Sequence, residues 1–142
     1  MADRTQLYHS GCLTDGWRLF GAHPATEKGA HGWWFNVWAP RAKAVSVVGD
    51  FNGWDPEETP LAPKGEFWQG FVPDLPVYTS YKYAVTGADG KLRYKADPYG
   101  FHTETRPGTA SKLYDIEHFP WTDAAFRKAK QPVYHQPLNI YE

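Results

Sequence analysis

The run Gly49-Asp50-Phe51-Asn52-Gly53-Trp54 sets an indole on a tight turn, and no other residues of this 142-residue chain are so well placed for recognition chemistry. The apolar, β-branched stretch Val45-Ser46-Val47-Val48 ahead of it reads as a strand, and Asn-Gly marks the turn that ends it. A flat aromatic on a rigid turn can stack on the apolar face of a sugar ring. The same indole can instead fold back as a lid over the core. The other reactive side chains are less well arranged. The histidines are His9, His23, His31, His102, His118 and His135; none forms an i, i+4 pair, and Cys12 is the single cysteine, so no metal site is expected. No glycine-rich phosphate loop opens a helix and no Gly-x-Ser-x-Gly elbow occurs, so no cofactor is expected. Glu57 and Glu58 are adjacent and point apart, a poor pair for glycoside chemistry, which needs two carboxyls about 5 to 9 Å apart. Asp50, Asp97 and Glu104 remain as single candidates, and Asp97-Pro98 reads most simply as a turn start. Catalysis by these residues is not expected.

The elements that must carry the indole are strands. Aromatic residues make up 17% of the chain, with 13 Gly and 12 Pro, a composition suited to a turn-rich β-sandwich. Strands are expected at 33–38, 44–48, 66–72, 80–86 and 91–94, with a last short one at 109–114. Within 80–86, Tyr81, Tyr83 and Val85 share one face and Lys82, Ala84 and Thr86 the other. The first face is expected inward, because a one-residue slip would bury the lysine. Residues 87–90 read as a hairpin turn. The grammar then changes: Thr122 can cap a short helix at 123–130. Three segments are expected: an extended lead-in at 1–29, the sandwich at 30–116, and a linker with a short helix at 117–142.

Charge and hydropathy narrow the partners. Fifteen Lys and Arg against 16 Asp and Glu give a net charge of -1, with no basic surplus for nucleic acid. No leader-like apolar segment and no apolar run of about 18 residues is present, so neither export nor membrane insertion is expected. A lone cysteine suits a reducing compartment, and a cytoplasmic setting is expected.

A set of motifs, in order, resembles the amino-terminal part of glycogen branching enzymes. They are Leu19-Phe20-Gly21-Ala22-His23-Pro24, Phe35-Asn36-Val37-Trp38-Ala39-Pro40, Val45 through Trp54, Tyr81-Lys82-Tyr83, Lys95-Ala96-Asp97-Pro98-Tyr99, Pro107-Gly108-Thr109-Ala110-Ser111 and Pro137-Leu138-Asn139-Ile140-Tyr141-Glu142. The resemblance implies an immunoglobulin-like antiparallel β-sandwich of the family 48 carbohydrate-binding module type. It also implies a parent enzyme that cuts α-1,4-glucan and rejoins the piece through an α-1,6 bond in glycogen synthesis. That chemistry belongs to a catalytic barrel of about 250 residues, and residues 140–142 would open its first strand. The segment 137–142 is therefore expected to be frayed or to find a non-parental contact.

By the same resemblance, an α-1,4-glucan such as glycogen or a malto-oligosaccharide would meet Trp54 as the stacking ring and Lys82 as a donor. Tyr94 would extend the platform, since Leu92 stands where relatives carry their second aromatic, and Ser111 would sit at the rim. The alternative role is that of a spacer supporting the catalytic barrel. A regulatory protein-interaction module and the leading module of a debranching hydrolase are the other readings.

Overall fold

In the computed structural model, which describes residues 4–130, 137, 141 and 142, the strand-forming runs pair into two antiparallel sheets. The first is built from β1 (Gly21–Glu27), β2 (Ala30–Trp38), β4 (Ala62–Lys64) and β5 (Phe67–Pro73), in the order β1-β2-β5-β4. The second holds β3 (Ala44–Gly49), β6 (Ser80–Thr86), β8 (His102–Thr103) and β9 (Ser111–Lys112) in the order β3-β6-β9-β8. β7 (Leu92–Lys95) also pairs with β6. Alternation decides what lies between them. Trp33, Phe35 and Val37 of β2 meet Val45 and Val47 of β3 and Tyr81 and Tyr83 of β6, with Leu61, Val72 and Leu113 closing the cluster. Phe35 stands edge-on to the Tyr81 ring at 5.2 Å. Each such ring or branched side chain contributes about 2 kcal/mol on burial. As the alternation requires, Tyr81 and Tyr83 are buried, Val85 packs on the core margin, and Lys82 faces the other way.

Four local differences from the sequence reading have physical causes. The first lies in the expected lead-in, where residues 21–27 form β1, paired with β2 from Gly21↔Asn36 to Glu27↔Ala30. Its polar residues and Pro24 hide a strand pattern, and an edge strand tolerates proline because one side of its backbone needs no partner. Ahead of it, Arg4–His9 forms a short helix, α1, whose Tyr8 ring meets Phe20, Trp38 and Phe67. Second, the expected strand at 109–114 shrinks to Ser111–Lys112, paired on one side with β6 and on the other with β8. Third, the expected C-terminal helix forms as α2 but is one residue shorter at each end, Ala124–Ala129, because Asp123 and Lys130 stand as its caps. Fourth, Asp123 rather than Thr122 stands at its N-cap, its carboxylate accepting from Arg127 Nε at 2.7 Å. The expectation for 137–142 falls mostly outside the described residues.

Candidate functional site

The turn that carries Trp54 is built residue by residue. Gly49 ends β3 where a side chain would run into the Ser80 carbonyl and the Phe51 ring, so close approach of two strands demands glycine. Asp50–Asn52 makes one turn of 3-10 helix. Phe51 turns back against the core. Asn52 staples the turn: its Oδ1 accepts from the Gly49 amide (3.0 Å), and its Nδ2 donates to the Val47 carbonyl and Thr59 Oγ1 (2.9 Å each). Gly53 takes a left-handed backbone at φ 61°, which glycine adopts without steric cost.

Trp54 is left-handed too, at φ 62°, a conformation rare for a bulky residue. It is held at both ends. Its amide donates to the Gly49 carbonyl at 2.9 Å, and its indole Nε1 donates to Asp50 Oδ1 at 2.7 Å. The ring is half-buried rather than sealed into the core. The sheet beside it sets out the neighbours. Val48 pairs with Lys82, Ser46 with Ala84, and Ala84 with Tyr94. Residues opposite one another share a face, so Lys82 and Tyr94 both lie on the side away from the core. Tyr94 is 47% exposed and Leu92, two residues before it, 43%. The Lys82 ammonium donates to Thr109 Oγ1 at 2.7 Å.

Ser111 is not on that face. It pairs with Tyr81, is fully buried, and its hydroxyl oxygen accepts from the Asp97 amide at 2.9 Å. A residue opposite an inward tyrosine points inward, so the rim position expected of Ser111 is corrected. The exposed hydroxyl beside Lys82 is that of Thr109. Sequence held no signal for this, because a two-residue strand shows no alternation from which its faces could be assigned.

The three single carboxylates all do structural work. Asp50 orients the indole. Asp97 is buried; its Oδ2 accepts from Tyr81 (2.7 Å) and Tyr83 (3.1 Å) hydroxyls and its Oδ1 from the Tyr99 amide (2.8 Å). Burial pushes the Asp97 carboxyl above its usual range, and those three donors only partly draw it back. Burial foremost, then the Asp97 charge, raises both tyrosine hydroxyls. Glu104 closes the β8–β9 hairpin, accepting from the Ala110 amide (2.9 Å) and the Ser80 hydroxyl (3.1 Å). The Ala110 bond holds its carboxyl below the usual value.

Two depressions lie at opposite ends of the sandwich, one of about 580 Å³ lined by Trp38, Pro40, Arg41 and Arg93, the other of about 750 Å³ lined by Pro24, His31, Trp33 and His118. Trp33 itself is core, its indole donating to the Leu75 carbonyl. Among the described residues, no group of three or more His, Cys, Asp or Glu could hold a metal ion, and no helix is long and apolar enough to cross a membrane. An outward face that presents the Tyr94 ring, the Lys82 ammonium and the Thr109 hydroxyl, beside a turn that carries Trp54, can stack rings and donate hydrogen bonds to a hydroxyl-rich ligand.

Residues 19–100 match the family described as carbohydrate-binding module 48 (isoamylase N-terminal domain). Along its whole length the chain is 40% identical to a 1,4-alpha-glucan branching enzyme of Bacillus cytotoxicus, covering 23% of that protein. Over 96% of its length it is 44% identical to the 1,4-alpha-glucan branching enzyme of Oleidesulfovibrio alaskensis, covering 22% of it. The chain thus spans less than a quarter of the length of these curated relatives. Among solved structures, a Klebsiella pneumoniae pullulanase complexed with maltotriose superposes with a TM-score of 0.53 at 22% identity, over 68% of this chain and 9% of that one. That likeness is one of fold.

Proposed function

The chain belongs to the carbohydrate-binding module 48 family, and on that premise we propose that its Trp54 face binds α-1,4-glucan. The ligand would be glycogen or a malto-oligosaccharide, and the setting an enzyme that moves α-1,4-glucan segments into α-1,6 branches. One observation carries the reading. An aromatic ring is fixed at a left-handed backbone by bonds at both ends, on the turn that leaves β3, and β3 pairs with the strand whose outward face carries Lys82. Trp54 stacks on a glucose ring, Lys82 donates to its hydroxyls, Tyr94 lengthens the platform, and Thr109 takes the rim role. One principal stacked ring on an open face supports a Kd near ~1 mM. Identity of 40% and 44% to branching enzymes favours a branching parent over a debranching one. Native electrophoresis through glycogen-containing gel checks the reading: retardation relative to a dextran gel is expected, and equal mobility in the two would contradict it.

A second role is favoured by a separate observation. Phe119, Trp121 and Phe126 are 54%, 67% and 68% exposed, with the Phe119 and Trp121 rings edge-on at 4.9 Å. Such an apolar group suits docking against the catalytic barrel of a longer enzyme. Trp121→Ala in this segment, joined to a catalytic barrel in one longer chain, should then lower the melting temperature of the whole by several degrees, and an unchanged melting curve would sink the docking role.

A further inference from the structure

Trp54 is not the only aromatic held at a left-handed backbone. Among the described residues, four non-glycine positions have positive φ, and two of them are Trp54 and Tyr78, at 62° and 70°. A bulky side chain rarely adopts this conformation, and such strain persists where the surroundings enforce it, often at ligand clamps. The Tyr78 amide donates to the Leu113 carbonyl at 2.8 Å, which pins the strained residue to the strand end. Its ring nevertheless stays 54% exposed, so core packing does not account for the strain. It joins two more rings: His102 at 5.4 Å and Tyr114 at 5.7 Å, themselves 5.6 Å apart.

The register places His102, and with it the two rings it touches, on the Lys82 side of the sheet. His102 pairs with Lys112, and Lys112 with Ser80. Ser80 and Lys82 share a face by alternation. The outward surface therefore runs from the turn after β3, across Lys82 and Lys112, to His102 and Tyr78. From β3 to β8 is three strand-to-strand steps, about 14 Å, a span of several sugar rings.

We infer that Tyr78, His102 and Tyr114 form a second α-1,4-glucan subsite, reached by oligosaccharides long enough to lie on Trp54 and cross the sheet. This rests on the glucan reading above. Rings at both ends, with ammonium and hydroxyl groups between, suit a neutral polyhydroxylated chain better than a charged one. The subsite should make affinity depend on chain length.

The experiment is an NMR titration of this chain with maltotriose and with maltoheptaose. Tyr78→Asn removes the ring while suiting the left-handed backbone, and His102→Ala removes a second ring without touching that backbone. Each variant should bind maltoheptaose about fivefold more weakly, a change of about 1 kcal/mol, and bind maltotriose as the parent chain does. In the parent chain maltoheptaose should shift the His102 and Tyr114 signals as well as the Trp54 indole. If maltoheptaose moves Trp54 alone and both variants keep full affinity, the second subsite is wrong and the Trp54 site stands. Equal loss for both sugars would mean a general distortion and would also overturn it. If neither sugar moves the Trp54 indole or the triad, both readings fall together.

Discussion

Asp50 and Asp97 show how differently two carboxylates serve one face. Asp50 is exposed and holds the Trp54 indole by a single 2.7 Å bond. Asp50→Ala should free the ring to sample other rotamers, weakening malto-oligosaccharide binding about threefold while changing stability by less than about 1 kcal/mol; titration and urea unfolding read the two effects apart. Asp97 works from inside. The Tyr81 hydroxyl, at 2.7 Å against 3.1 Å for Tyr83, is its closer partner, and removing it leaves a buried carboxylate short of a donor. Tyr81→Phe should therefore cost about 2 kcal/mol, more than Tyr83→Phe, in denaturant unfolding; equal costs would contradict this ranking. At this scale sequence was informative where alternation was long. Lys82 outward and Tyr81 inward follow from seven residues of β6. Ser111 was misplaced because its strand is two residues long and its face is set by partners far away in sequence.

At the scale of elements, two turns govern the face. The turn after β3 depends on Asn52, whose side chain makes three hydrogen bonds. Asn52→Ala should lower stability by roughly 2–3 kcal/mol and weaken sugar binding with it, since Trp54 loses its support. The β8–β9 hairpin depends on Glu104, and its effect is pH-dependent. The Glu104 carboxyl sits below its usual 4.5, so its contribution is present above that pH and is lost as pH falls through the lower folded-state value. Asp97 runs the other way: raised above its usual 3.8, it favours the fold at low pH and loses that advantage as pH rises through its folded-state value. The Ala110 amide should thus titrate with a midpoint below 4.5 and the Tyr99 amide with one above 3.8, both read by NMR. Because Thr109 lies in the same hairpin and accepts from Lys82, sugar binding should weaken as Glu104 protonates. The first turn was legible from Gly-Asp-Phe-Asn-Gly-Trp because its bonds are local. The β8–β9 hairpin was not, because its two-residue strands are held by β9 pairing with β6, far away in sequence.

For the whole molecule, the two-sheet sandwich follows from the aromatic and β-branched runs and from their period of two. Among the elements that escaped were β1, an edge strand whose proline and polar residues erase that period, and α1, which is fixed by the Tyr8 ring packing on Phe20, Trp38 and Phe67. Both are tertiary outcomes, decided by the neighbouring sheet rather than by their own residues. The second sheet carries the proposed functional side. With Lys82 at its centre and rings at its margins, that face is proposed to bind by stacking, and Trp54 is the ring held by bonds at both ends. The central claim is therefore tested most directly by the affinity of Trp54→Ala for maltoheptaose, measured by NMR titration beside the parent chain. Saturable shifts with a Kd near ~1 mM in the parent, and none in Trp54→Ala with its remaining spectrum intact, are the predicted result. Binding that survives Trp54→Ala unchanged would contradict the account.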